Sequence, residues 1–329
     1  TIKLANDIDM TGVTIEKRIH FWGDRTTFDG QDYTISNLTM STTSTEKKPF
    51  GLFGGTADIK NVKFDNANIS GYSYVAVVAG NLYGNIENCH VSNSQVTCTY
   101  WMAGAMSGQY NAGNVTNCSV TNTTITGPAA VGALVGNINE TAGERTVENC
   151  TVTGCTVAQN GSFGGNYDKM FGTAVGLVNI NNSKVYINGC KVEDTTVKGA
   201  TSANIFGHNS GDNTTIYVDG YEYVAEGLLK NEDGDQIAYS DAGLTAALDK
   251  GATTVYLTEG TFIVPDSAQG KTVTFIGSGD PEDTVIATQD DGSYEGCDYS
   301  LDGSTVVFEN ISINTDSSNY TGYARCKGT

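Results

Sequence analysis

Two stretches decide how this chain is read. The first is Ile86-Glu87-Asn88-Cys89-His90-Val91-Ser92-Asn93-Ser94-Gln95-Val96, which leads into the run Ala103-Gly104-Ala105-Met106-Ser107-Gly108. The second is Val115-Thr116-Asn117-Cys118-Ser119-Val120-Thr121-Asn122-Thr123-Thr124-Ile125, which leads into Val131-Gly132-Ala133-Leu134-Val135-Gly136. They are two copies of one unit. Further copies start at Ile59, Val147 and Ile187, and a degenerate one at Ile35 (Ile35-Ser36-Asn37-Leu38-Thr39-Met40). The steps 59→86, 86→115, 115→147 and 147→187 are 27, 29, 32 and 40 residues. Repeats of about 20–50 residues belong to solenoids and propellers.

Each unit holds short Val/Ile/Thr segments with polar residues between the apolar ones, and no amphipathic helix. Leucine-rich repeats need a stronger Leu pattern, and a propeller blade needs about 40–45 residues. The reading is therefore all-β: a right-handed parallel β-helix whose coils stack at roughly the 4.8 Å strand spacing. Stacking gives each position a role. Ile59, Ile86, Val115, Val147 and Ile187 point inward. So do Phe64, Val91, Val120, Val152 and Val192, and, past a further corner, Ile69, Val96, Ile125, Val157 and Val197. Asn61, Asn88, Asn117 and Asn149 sit at a corner, where Asn tolerates the left-handed backbone and stacked amides bond along the ladder. Gly189 takes that place in the last copy. Cys89, Cys118, Cys150 and Cys190 share the inward position of Val62, which makes a structural column of reduced thiols, since buried Cys behaves as a small hydrophobe. Neighbouring coils also bring Cα atoms within disulfide range, so Cys89–Cys118 and Cys150–Cys190 bonds stay open as alternatives. Cys98, Cys155, Cys297 and Cys326 have no partner assignable from sequence.

The runs Phe50-Gly51-Leu52-Phe53-Gly54, Gly132-Ala133-Leu134-Val135-Gly136 and Ala174-Val175-Gly176-Leu177-Val178 resemble the GLUG repeat of large bacterial surface proteins, adhesins and IgA-protease-like proteins among them. Residues 2–12 and 27–35 resemble the lead-in that precedes such repeats. The likeness covers roughly residues 1–215. It implies a β-helix and a place at the cell surface or outside the cell, and it leaves activity open, because fold does not fix function.

Residues 216–240 break the pattern. Tyr217-Val218-Asp219-Gly220-Tyr221-Glu222-Tyr223-Val224 reads as a hairpin, and Lys230-Asn231-Glu232-Asp233-Gly234-Asp235-Gln236 as an acidic, solvated turn that lacks the distant Glu of an EF-hand loop. Residues 241–251 form the one good helix. It opens on Ser240 or Asp241 as cap, carries a Leu/Ala face and closes at Gly251. A strand, Glu259-Gly260-Thr261-Phe262, a second strand and Gly277-Ser278-Gly279 follow. This order resembles the start of a pectate-lyase-like β-helix, so residues 241–329 read as a truncated second β-helix with an N-terminal capping helix, and 216–240 as a hairpin linker.

Net charge is −19 with 18 Lys+Arg against 37 Asp+Glu, so a basic stripe for nucleic acid is missing and an anionic membrane surface is disfavoured. No apolar run is long enough to span a bilayer. There is no secretory signal and no initial Met, which reads as a mature fragment of a longer protein. The 8 cysteines include no CxxC pair, and the 3 histidines are scattered, so no metal site and no cofactor is expected.

Catalytic residues are not visible. The pectate-lyase resemblance implies calcium-binding acids and an Arg or Lys base, but Arg occurs only at positions 18, 25, 145 and 325, and no column of outward Asp recurs through the coils. Asp290-Asp291, with Gly292 and Ser293, reads as a hairpin turn. There is no GxSxG, HExxH or P-loop. What does recur is a set of excursions after the third strand of each coil: Tyr72-Ser73-Tyr74, Thr99-Tyr100-Trp101-Met102, Gly127-Pro128-Ala129 and residues 160–171. In-register coils project these from one edge, carrying Tyr72, Tyr74, Tyr100, Trp101, Phe163, Tyr167 and Phe171. Aromatic faces on such an edge suit sugar rings or a protein partner. The alternative is that they pack under their own loops. The sequence thus reads as a non-enzymatic, extracellular or cell-surface bacterial adhesin or scaffold segment that meets a glycan or a surface protein. The alternatives are a carbohydrate-active enzyme with its catalytic coil in the second β-helix, and a purely structural stalk.

Overall fold

The computed structural model describes residues 1–139, 142–198, 205–225, 227–287 and 303–314, except the side chains of Asp24, Arg25, Lys198 and Asn314. The chain forms two compact units, Thr1–Asp219 and Gly220–Thr329.

The first unit is a parallel β-helix. Its copies pair in the register that the repeat demands: Ile59 with Ile86, Ile86 with Val115, Val115 with Val147, and Val147 with Ile187. The next segment pairs Phe64 with Val91, Val91 with Val120 and Val120 with Val152. The third pairs Ile69, Val96, Ile125 and Val157 in turn. All of these side chains are buried, and each contributes about 1.5–3 kcal/mol relative to exposure. Val192 and Val197, in the last copy, are only half-buried. Cys89, Cys118, Cys150 and Cys190 continue the Val62 column as free thiols, the first three buried. Cys98 and Cys155 are also free and buried; Cys297 and Cys326 lie outside the described residues.

The corners are left-handed. Asn61, Asn88, Asn117 and Asn149 have φ of 50–54°, and Gly189 has φ 59°. The Asn88 amide donates to Asn61 Oδ1 at 2.9 Å, and that of Asn61 to Asp29 Oδ1 at 3.0 Å. A second corner follows five residues later, at Asn37, Asn66, Asn93, Asn122, Gly154 and Asp194, all at positive φ. There Asn66 Nδ2 donates to Asn37 Oδ1 at 2.7 Å. Amide ladders thus tie one coil to the next at both turns.

The glycine-rich runs make a tight return into a fourth strand, such as Ser107–Ala112, Val135–Asn139 and Val175–Asn179. A Cβ on Gly132 would lie 2.4 Å from Val135 O, and one on Gly136 would lie 2.6 Å from Gly108 O and 2.7 Å from Ala103 N. Backbone meets backbone there, so only hydrogen fits.

Two of the expected excursions are not loops. Residues 72–74 lie within the strand Asn68–Val75 and residues 99–102 within Gln95–Ala103, which pair with a bulge between Cys98 and Trp101. The chain turns instead at Tyr74, Met102 and Ala130, with φ of 52°, 68° and 55°. The bulge absorbs the extra residue that sequence spacing reads as a loop.

In the second unit Tyr221–Ala225 pairs antiparallel with Leu228–Lys230, which pairs antiparallel with Gln236–Ala238. Gln236–Ala238 then runs parallel to Thr254–Leu257, Thr272–Gly277 and Thr305–Glu309. A second parallel stack is Gly260–Ile263, Thr284–Ala287 and Ser312–Asn314. The helix Asp241–Asp249 is capped by the Ser240 hydroxyl, which accepts from Gly243 N at 3.2 Å, and buries Leu244, Ala247 and Leu248 against Val255, Leu257, Phe262 and Phe275. Asn231 and Asp235 close the acidic turn on each other through two 2.8 Å bonds. Among the described residues no helix is long and apolar enough to cross a membrane.

Candidate functional site

The aromatic edge is built by three segments of the first unit. Coil stacking lays Tyr72 on Tyr100, with ring centroids 4.8 Å apart and planes within 10°. Trp101 lies beside Tyr100, with centroids 6.5 Å apart. The long excursion then folds back over them. Phe163 reaches Tyr100 at 5.8 Å and Trp101 at 6.0 Å, and Tyr167 meets Trp101 edge-on at 5.3 Å. Lys47 Nζ stands 4.7 Å from the Tyr100 ring centroid, a cation over a π face. Phe163 and Tyr167 remain 45% and 41% exposed, while Tyr72, Tyr100 and Trp101 are half-buried by their neighbours. The edge therefore combines packing with open aromatic surface.

Local bonds hold the excursion. Asn160 Nδ2 donates to Cys98 O at 2.9 Å and Asn160 N to Gly127 O at 3.2 Å. Asp168 accepts from Gln159 Nε2 at 2.6 Å and from the Ser162 hydroxyl at 2.7 Å, and Ser162 Oγ accepts from Gly164 N at 2.9 Å. The turn Gly165–Lys169 is a single 3-10 stretch with no buried residue. Lys47 and Asp168 are parts of this edge that the sequence reading missed. The Asn160-Gly161-Ser162 start and Asp168 inside the excursion were the available signals, as side-chain turn closers. Nothing in the sequence places Lys47 beside Tyr100.

Two expected members lie elsewhere. Phe171 is fully buried and pairs with Val131 as the start of the next strand, so it is a core residue. Tyr74 and Trp101 pack against a satellite cluster of Met102, Ala129, Ala130, Met170 and Leu177. This cluster covers an outward column of the fourth strand. Register places His20, Gly54, Asn81, Gln109, Asn137, Leu177 and His208 in that column. Gln109, Asn137 and Leu177 are buried, and Asn137 Nδ2 points to Met102 Sδ at 3.5 Å.

Titratable groups in the coils serve structure. Burial pushes the Cys98 thiol up to about 11, and the adjacent Cys118 thiol together with burial pushes Cys150 up to about 12. Burial alone would raise the Asp29 carboxyl, but donors from Gln31 and Asn61 outweigh it and hold Asp29 at about 2. No group of three His, Cys, Asp or Glu able to hold a metal occurs among the described residues.

No family model and no curated protein matches this chain. Among solved structures it is similar to a candidate immunoglobulin A1 protease from Bacteroides ovatus, at 19% identity and a TM-score of 0.39, over 68% of this chain and 72% of that one. A likeness at that level bears on neither activity nor ligand.

Proposed function

We propose that the first unit is a non-enzymatic binding segment of a secreted or cell-surface protein, and that it takes a glycan on its aromatic edge. The observation that carries the reading is the convergence of Tyr72, Tyr100, Trp101, Phe163 and Tyr167 from separate segments onto one partly open face. Rings held by a stacked scaffold present flat apolar area without an ordering cost on binding, and they leave hydroxyl and indole N–H groups for polar contacts. The strongly acidic, helix-poor chain suits an extracellular setting.

The test is incubation of the chain with immobilised plant, mucin and microbial polysaccharides, scored for retention and for newly released reducing ends. Retention without release, lost in the double variant Trp101→Ala/Tyr167→Ala, is the expected result. Retention that survives in the folded double variant sinks the edge assignment. Release of sugar ends moves attention to the second unit and to a carbohydrate-active enzyme.

A further inference from the structure

The outward column that the satellite cluster covers is open at its first coil. There it forms a cleft of about 270 Å³, whose lining includes Arg18, His20, Trp22, Pro49, Thr56 and Asn81. Arg18 lies over residue 54, which has no side chain: a Cβ on Gly54 would lie 3.0 Å from Arg18 Cδ and 3.1 Å from Arg18 Nε. The guanidinium occupies that space and is fixed twice, Nε donating to His20 Nδ1 at 3.0 Å and a terminal nitrogen to Pro49 O at 2.9 Å. The first bond also fixes the His20 tautomer, with its proton on Nε2.

Three features set the chemistry of an occupant. Arg18 is half-buried, and no carboxylate of the described residues comes within ion-pair distance of it, in a chain of net charge −19. Its remaining N–H donors are unspent, and a fixed guanidinium favours a carboxylate. Trp22, centred 4.0 Å from the His20 ring, is 84% exposed, more than any other large hydrophobic among the described residues. An indole held at the mouth of a cleft and left open is a platform for a ring with an apolar face. Finally, the volume lies just below the range of about 300–1,000 Å³ typical of drug-sized ligands, so it admits a single ring. We propose that this cleft binds one carboxylate-bearing sugar residue, a hexuronate, its ring face on Trp22 and its carboxylate on Arg18, with Asn81 and Thr56 beside its hydroxyls. The site is separate from the aromatic edge and stands or falls without it.

The experiment is isothermal titration calorimetry of the full chain at low salt with methyl glucuronide and methyl glucoside, which differ only in carboxylate against hydroxymethyl at C6. Binding of the glucuronide at least tenfold tighter than the glucoside is expected. Arg18→Gln and Trp22→Ala should each weaken it at least tenfold, and Trp101→Ala/Tyr167→Ala should leave it unchanged. Trp22→Ala removes a side chain with almost no buried surface, so it remains informative should Arg18→Gln fail to fold. Equal binding of glucuronide and glucoside, undiminished binding in folded Trp22→Ala, or equally tight binding of lactate, which carries one carboxylate but no ring, each overturns the proposal.

Discussion

Two stretches of one outward column behave in opposite ways. At Asn137 and Leu177 the column is roofed by Met102 and its neighbours Ala130 and Met170 and has become a second small core. At His20 and Gly54 the same column lies open beside Arg18 and Trp22. The strand beneath stays paired through both stretches, with a register shift between Phe53 and Gly54 at the open one. What differs is the roof: a bulged third strand that delivers Met102, and a long excursion that delivers Met170. In a solenoid, one groove is core or site according to the segment that leaves the coil beside it.

The two stretches should differ most at their glycines. Gly136→Val drives a side chain into Gly108 O and Ala103 N, and should cost about 4 kcal/mol or more, read as loss of the folded baseline in urea unfolding. Gly54→Val meets the flexible Arg18 side chain at 3.0 Å and Asn81 O at 3.3 Å, looser contacts than at Gly136, and should cost about 1–2 kcal/mol. Similar costs at the two positions would show that the groove is not open at Gly54.

The roof is sharpened next. Met170→Ala removes buried contacts over Leu177 and should cost about 2–4 kcal/mol, whereas Trp22→Ala should stay within about 0.5 kcal/mol, both by denaturant midpoint. At the corners, Asn88→Ala forces a Cβ residue to φ near 50° and removes one ladder bond, for about 1–2 kcal/mol.

Smaller effects concern protons. Buried thiols held near 11 and 12 at Cys98 and Cys150 should react with an aromatic disulfide reagent at pH 8 only as fast as the chain unfolds. Prompt reaction of the native chain at either residue would contradict their burial. Asp29 titrates at about 2 when folded, below the ordinary value near 3.9. Its contribution is complete above about pH 4 and is lost as pH falls toward 2. Asp29→Asn should therefore flatten stability over that interval, and an unchanged acid limb would show that another group carries it.

Much of the solenoid was legible because its period is written in side chains that must face inward. Ile86, Val91 and Val96 recur as Val115, Val120 and Ile125, and Asn88 as Asn117. The second corner was equally on the page, five residues after the first at Asn66, Asn93 and Asn122, but the Ser and Thr around it carry no period of their own. The third corner is different. Tyr74, Met102 and Ala130 take left-handed backbone that their types do not announce, so bulged strands read as loops. The aromatic edge was legible as a set of residues on one side of the stack, since stacking decides that; which of them stay open depends on the path of residues 160–170, which has no counterpart in other coils. Phe171 was misplaced for the same reason, one residue past the end of that excursion. The cleft was invisible because Arg18, His20 and Trp22 belong to a segment with no repeat partner. The resemblance of residues 241–329 to a pectate-lyase-like start rests in part on segments outside the described residues, where Asp290, Asp291 and Arg325 also lie.

The asparagine corners also bear on how this protein ages. Asparagine slowly hydrolyses to aspartate, and here the side-chain NH2 of Asn66 and of Asn88 is the donor that reaches the neighbouring coil, at Asn37 and Asn61. Loss of one NH2 replaces a donor with a second acceptor, so the bond becomes a carbonyl facing a carboxylate; loss of two neighbours puts like charges one strand apart. The first event weakens a single rung, and the second repels the rungs on either side. Damage along the column is cooperative, so wear accumulated at a corner should open the solenoid between adjacent coils before it loosens any one of them.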